Sequence, residues 1–315
     1  MRIAVVIPCF NVEHHVDVAV RSIMEQTYDD LDVFAIDDGS TDGTKARLEE
    51  LERTYAGRFR WTSGPRRGAC AARNLGMANT TGEYIQFLDA DDAVLTDKLH
   101  RQVDLVRATN GPDLVVADFL NVYEDGREEK VVANEGSPWM ALVRTQLGTT
   151  SSNLFKRTAL EAVNGWKEDQ ASSQDYELMF RMLKNGARVA WDPFVSSLVL
   201  KRSHGSISRT GLRDNWIRFI HLRRAMRDHM ERTDRKGYAA EIAAADQVIF
   251  MAIRVLARHD PKSGHQAFKE NLPAGFVPDA TSATTPLYSG CYRLIGFRAT
   301  DLLARSFSLM RDRGI

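Results

Sequence analysis

Leu31-Asp32-Val33-Phe34-Ala35-Ile36-Asp37-Asp38-Gly39-Ser40-Thr41-Asp42-Gly43-Thr44 runs from an apolar stretch straight into acids and turn formers. The same design recurs at Glu83-Tyr84-Ile85-Gln86-Phe87-Leu88, which leads into Asp89-Ala90-Asp91-Asp92. A third apolar run, Arg2 to Ile7, is stopped by Pro8. Hydrophobicity here is continuous rather than alternating, as in strands buried on both faces of a parallel sheet. Helical spacing lies between the runs: Val16, Val20, Ile23 and Met24 share a face, and 41–55 and 68–78 read as helices. The β-α-β-α order predicts a doubly wound α/β sheet, and the acids then fall at strand ends, where such folds put ligands. Carboxylates crowded there repel one another and lose hydration. A divalent cation carrying a diphosphate is the simplest compensation, which points to a sugar-nucleotide enzyme.

The remainder of the chain is less regular. The sequence predicts a helix over 99–108, a strand over 113–123 and a hairpin turn at Glu124-Asp125-Gly126-Arg127 leading into Val131-Val132. Strands are expected at 153–155, 188–191 and 195–200, with helices over 157–163 and 176–183. From Asn215 long helices take over: 216–230, 238–257 and, after a linker from 272 to 286 rich in Pro, Ser, Thr and Gly, a final helix over about 288–310.

The net charge is zero, with 42 basic and 42 acidic residues. Residues 213–315 hold 17 Lys/Arg against 11 Asp/Glu, a surplus of +6, so the preceding part carries −6. This asymmetry, with the change of character, predicts two modules, 1–212 and 213–315. No concentrated basic face suggests a nucleic-acid partner. Three cysteines, Cys9, Cys70 and Cys291, have neither zinc nor redox spacing and fit a reduced compartment. The N-terminal apolar run is too short for a signal peptide, and no stretch reaches the roughly 18 apolar residues of a membrane span. The expectation is a cytoplasmic protein, with peripheral membrane contact through the Arg-bearing last helix left open; packing of that helix on the catalytic domain or on a second subunit is the plainer alternative.

Val6-Ile7-Pro8-Cys9-Phe10-Asn11, Asp37-Asp38-Gly39-Ser40-Thr41-Asp42, Ala72-Arg73-Asn74 and Leu88-Asp89-Ala90-Asp91-Asp92, in that order and spacing, resemble the family 2 inverting glycosyltransferases of GT-A fold. The resemblance covers roughly residues 1–210; nothing after about 212 carries a family signature. It implies a Rossmann-like, mostly parallel central sheet with flanking helices, followed here by a C-terminal helical region. It also implies a nucleotide-sugar donor, UDP or dTDP in type, and a divalent cation, Mn²⁺ or Mg²⁺. The acceptor would be a hydroxyl on a glycan, a lipid-linked sugar or another molecule. The setting would be bacterial surface polysaccharide or glycoconjugate synthesis. No Q-x-x-R-W sequence of processive members occurs, so addition of one or a few sugars is expected.

Each implied role has a plainer rival. Asp38 is expected to accept a hydrogen bond from the base, while Asp37, Asp38 and Ser40 could equally make a turn and Thr41 or Asp42 cap the next helix. Pro8, Phe10 and Asn11 would frame the same pocket, or merely end a strand. Arg73 follows small residues that let backbone approach a ligand; the resemblance places it on the base or diphosphate. In the Asp89-Ala90-Asp91 motif, Asp91 would ligate the metal and Asp89 contact the ribose or assist the metal. Ser173-Gln174-Asp175-Tyr176-Glu177 resembles the family's acidic pair with Gln174 in place of the first acid. Asp175 is the candidate general base, Glu177 the fallback, and an N-cap the rival role. In Arg202-Ser203-His204, His204 could ligate the metal or touch the diphosphate; Trp166 could line the acceptor side or pack in the core. The Gln174 departure keeps a second reading in view, a sugar-nucleotide-binding subunit that has lost catalysis. A nucleotidyltransferase ranks lowest, because Pro8 to Asn11 lacks the Gly-rich phosphate loop that it would carry.

Overall fold

The computed structural model describes residues 1–64, 66–133, 135–202, 211–281 and 284–312, with side chains up to Ala304. The chain divides into two compact units, Met1–Ser206 and Ile207–Ile315.

In the first unit the three apolar runs become β1 (Ile3–Cys9), β2 (Leu31–Asp37) and β4 (Tyr84–Phe87). With β3 (Phe59–Ser63) they form a parallel block ordered β3-β2-β1-β4. The helices α1 (Val16–Met24), α2 (Thr44–Thr54) and α3 (Ala69–Ala78) connect these strands. The chain crosses over between β1 and β4, which makes their C-terminal ends the crevice of an open α/β sheet. α3 lies close on this block: a Cβ at Gly76 would sit 2.3 Å from Val6 Cγ1 and 2.7 Å from Ile36 Cδ1, so only glycine fits.

Beyond β4 the sheet becomes mixed. β8 (Leu154–Lys156) pairs antiparallel with both β4 and β6 (Leu114–Tyr123). β6 pairs parallel with β9 (Val189–Lys201), and the short β5 (Ala93–Val94) closes that edge against β9. The expected hairpin forms between β6 and β7 (Glu128–Val131). The two strands expected at 188–191 and 195–200 are a single strand. Ala117 faces Asp192 and Asp118 faces Val195, so Pro193 and Phe194 bulge out of the ladder where proline has no N–H to give. Three helices flank this half: α4 (Lys98–Ala108), α6 (Arg157–Glu161) and α7 (Gln174–Lys184). A further short helix, α5 (Pro138–Val143), was not foreseen; Ser137 caps it by accepting from Met140 N–H at 3.3 Å.

The second unit is helical: α8 (Leu212–Asp234), α9 (Ala239–His259), α10 (Pro261–Asn271) and α11 (Pro286–Asp312). α10 was also unforeseen, although Asp260-Pro261 announces it. Asp260 accepts from Ser263 N–H at 3.1 Å and Ser263 Oγ–H at 2.6 Å, and proline occupies the first helical position. The core centres on Phe250, ringed by Phe268, Phe276, Tyr288, Tyr292 and Phe297 at centroid distances of 5.3–6.4 Å. The last helix is not continuous as expected: Gly296, at φ 75° and ψ 172°, breaks it, a conformation that glycine adopts without strain. Among the described residues no helix is long and apolar enough to cross a membrane.

Candidate active site

The parallel strands β2 and β4, with β1 between them, carry the acidic motifs at their C-terminal ends. At the end of β2, Asp37 is fully buried; it accepts from Ser40 N–H at 3.2 Å and lies 3.7 Å from Lys45 Nζ. Asp38, also buried, accepts from the backbone N–H groups of Arg67 (3.0 Å) and Gly68 (2.6 Å), fastening β2 to the start of α3. Asp42 is the acid that orders the start of α2, accepting from Thr44 N–H at 3.0 Å and Thr44 Oγ1–H at 2.6 Å. At the end of β1, Pro8 is half-buried in the strand. Asn11 takes φ 51° and ties its loop to the β2 turn: its Oδ1 accepts from Thr41 N–H at 2.8 Å, and its own N–H donates to Ser40 Oγ at 3.0 Å. Phe10 remains 48% exposed, with the Arg66 guanidinium 5.8 Å from its ring centre.

Three carboxylates after β4 have three different surroundings. Asp89 pairs with Arg73 Nη2 at 2.6 Å. Asp91 pairs with Arg202 Nη2 at 2.6 Å. Its pKa is nevertheless raised, by burial first and then by Asp89, against the pull of Arg202. Asp92 turns inward: Ser151 Oγ–H donates to it at 2.6 Å and Leu200 N–H at 3.0 Å, and burial followed by Asp89 and Asp91 pushes its pKa well up. Ala90 fills the core between them.

Arg73 joins these strand ends to α7. It is buried, donates Nη2 to Asp89 and Nη1 to Gln174 Oε1 at 2.9 Å, and lies 4.5 Å over the Trp166 ring. Its pKa is raised: burial, the largest influence, opposes the charge, and Asp89, Cys70 and Asp175 together outweigh it. The departure from the resemblance, Gln174, is thus a neutral partner to this cation. Asp175 follows in the first turn of α7, half-buried, with its Oδ1 accepting from Tyr176 N–H at 2.9 Å. Glu177 is committed elsewhere, held by Arg181 Nε at 2.8 Å and Nη2 at 2.8 Å. Trp166 is a core residue, 2% exposed and edge-on to Phe87 at 5.1 Å. Asn74 anchors its backbone in both directions, donating to Trp166 O at 2.8 Å and accepting from Trp166 N–H at 2.8 Å.

The structure therefore places Asp38, Asp89, Ala90 and Asp91 after the ends of β2 and β4, and Arg73 of α3 links Asp89 to Gln174, the chain neighbour of Asp175. His204 lies outside the described residues. Sequence reading missed His15, in the loop after β1. Its pKa is lowered by burial and then by Arg202, with Asp91 also in electrostatic reach; a lone histidine in no motif offers no signal of this.

Residues 4–162, just over half the chain, match the family model for Glycosyl transferase family 2, and the chain belongs to that family. Its GT-A fold is that of Staphylococcus aureus TarS 1–349, solved in complex with UDP-GlcNAc: TM-score 0.67 at 16% identity, over 97% of this chain and 92% of that one. An uncharacterized glycosyltransferase from Nostoc sp. is 30% identical over 175 residues, 52% of this chain and 53% of its own length. The Escherichia coli UDP-Glc:alpha-D-GlcNAc-diphosphoundecaprenol beta-1,3-glucosyltransferase WfgD is 29% identical over 116 residues, 34% of this chain and 42% of its length. The chain thus spans about half or less of the length of these relatives. Asp175 lies beyond the family match.

Proposed function

We propose that this chain is a metal-dependent inverting glycosyltransferase. It moves a sugar from a UDP- or dTDP-sugar to an acceptor hydroxyl in bacterial polysaccharide or glycoconjugate assembly, one or a few sugars at a time. One observation carries the reading: Arg73 grips Asp89 with one nitrogen and Gln174, neighbour of Asp175, with another. A donor held at the strand ends thereby meets an acceptor activated from α7. The names of WfgD, which acts on a diphosphoundecaprenol-linked sugar with UDP-Glc, and of TarS, bound to UDP-GlcNAc, support a UDP-sugar and a lipid-linked acceptor.

In this reading Asp38 receives the ring N–H of the base with lone pairs left after its two backbone bonds. Phe10, Pro8 and Asn11 frame the nucleotide. Asp175 takes the proton of the acceptor hydroxyl. The freed oxygen forms its bond to the anomeric carbon from the face opposite the diphosphate, and the electron pair of the breaking C–O bond leaves with the diphosphate. No sugar–enzyme bond intervenes, unlike the route of a retaining hydrolase.

The residues suit a hard cation. Asp89 and Asp91 offer carboxylate oxygens, and burial first and the neighbouring Asp89 second disfavour the charged form of Asp91, a cost that a cation would offset. Among the described residues no group of three ligands converges, so oxygens of the diphosphate would complete the shell around Asp91, with His204 the further protein candidate. Bound there, Mn²⁺ or Mg²⁺ would neutralise the charge of the leaving group.

The test is transfer of labelled sugar from UDP-Glc or UDP-GlcNAc to a diphosphoundecaprenol-linked sugar, with the product's anomeric configuration read by NMR. Inversion is expected, and Asp175→Asn should lower kcat by roughly 10²–10⁴-fold while donor binding persists. Retention of configuration, or full turnover by Asp175→Asn, contradicts the mechanism. Donor binding by the parent without transfer to any acceptor would instead establish the non-catalytic subunit that Gln174 suggested.

A further inference from the structure

Helix α11 presents two apolar faces. Its inner face is already used: Tyr288, Tyr292 and Phe297 are buried against Phe250, and Tyr292 Oη–H donates to Phe276 O at 2.7 Å. Its outer side nevertheless carries Leu287 at 79%, Leu294 at 86% and Leu302 at 62% exposure, with Ile295 and Leu303 exposed beside them. Single exposed leucines are ordinary; five large aliphatic side chains on one helix are not. The charges on the same surface are of one sign. Between Pro286 and Ala304 the exposed charged residues are Arg293 and Arg298, while the one acid, Asp301, is buried 3.9 Å from His265.

We propose that this outer face of α11 docks on an anionic lipid surface. Aliphatic side chains that enter the acyl boundary, flanked by arginines at headgroup level, are the chemistry of an interfacial helix. A second copy of the chain fits less well: a two-fold interface through this face would gather Arg293 and Arg298 of both copies in one contact, with no exposed acid among the described side chains of α11 to offset them.

The experiment is co-sedimentation of the full chain with phosphatidylglycerol/phosphatidylethanolamine vesicles and with phosphatidylcholine vesicles. Static light scattering on the free protein accompanies it. Binding is expected on the anionic vesicles, roughly ten-fold above phosphatidylcholine and weakened by salt. The double variant Leu294→Glu/Leu302→Glu should lose it on both, and Arg293→Gln/Arg298→Gln should lose the preference for anionic lipid. All four positions are exposed, so melting midpoints should match the parent; if the leucine variant fails to fold, the arginine variant alone decides. Equal or absent sedimentation with the two vesicle types overturns the proposal. So does a dimer in light scattering that Leu294→Glu converts to monomer.

Discussion

Arg73 shows how one side chain can organise a site. Its planar fork reaches Asp89 and Gln174 in fixed directions while its face rests on Trp166. A lysine supplies the charge but not the fork. Arg73→Lys should therefore fold, yet lose about ten-fold or more in kcat/KM, measured as initial rates of sugar transfer; parent-like rates would mean that only the charge matters. Asp92 illustrates the opposite fate of a motif acid. Its two buried bonds join the β4 loop to Ser151 and Leu200, so Asp92→Ala should cost about 1–3 kcal/mol for each group left unpaired. Urea denaturation checks this, and an unchanged midpoint would contradict it. The motif announced the acids at 89, 91 and 92, but not which one turns inward. That depends on Ser151 and Leu200, which lie 59 and 108 positions away and reach Asp92 only through the fold. Gln174 was legible as a departure, and its partner Arg73, 101 positions distant, was not.

At the scale of elements, α4 contributes a charge that the core strains to accommodate. Lys98 is fully buried and donates to Gln86 Oε1 and, at 2.8 Å, to Gln102 Oε1. Burial pushes its pKa from 10.5 down to about 7. Below about 7 the lysine is protonated both folded and unfolded, and contributes no slope. Between there and 10.5 the unfolded chain holds a proton that the folded protein has released, so stability rises with pH, by up to about 1.4 kcal/mol per unit. Lys98→Met should flatten that rise in urea titrations across this window; parallel curves for parent and variant would contradict the assignment. A second element-scale prediction concerns α9. Phe250→Ala removes the ring about which five aromatic side chains pack and should cost about 3–5 kcal/mol, seen as a lowered calorimetric midpoint. The strands were readable because β1, β2 and β4 are buried on both faces and so carry unbroken apolar runs. The breaks were harder: Pro193 suggested two strands where a bulge keeps one, and Gly296 sat unnoticed inside a helical pattern because periodicity does not report φ.

For the whole molecule, the chain divides into two compact units, Met1–Ser206 and Ile207–Ile315, and its charges are segregated along the sequence, with a surplus of +6 over residues 213–315. The first unit carries the family match and every motif acid; the second carries no motif, and although its last helix was legible as apolar and Arg-bearing, which of its leucines stay exposed depends on the packing of their neighbours. The central claim, that acids at the ends of β2 and β4 hold a cation and through it a nucleotide diphosphate, concerns the folded molecule as a whole and is open to a thermal test, because a ligand that binds only the native state raises its melting midpoint. Melting should be followed with UDP-Glc, UDP-GlcNAc, a dTDP-sugar and a GDP-sugar, each with Mn²⁺ and with EDTA, for the parent and for Asp91→Asn. A uridine or thymidine donor should raise the parent's midpoint by several degrees with Mn²⁺, and the shift should vanish with EDTA and in Asp91→Asn; an equal shift in all three conditions, or none with any donor, would contradict it.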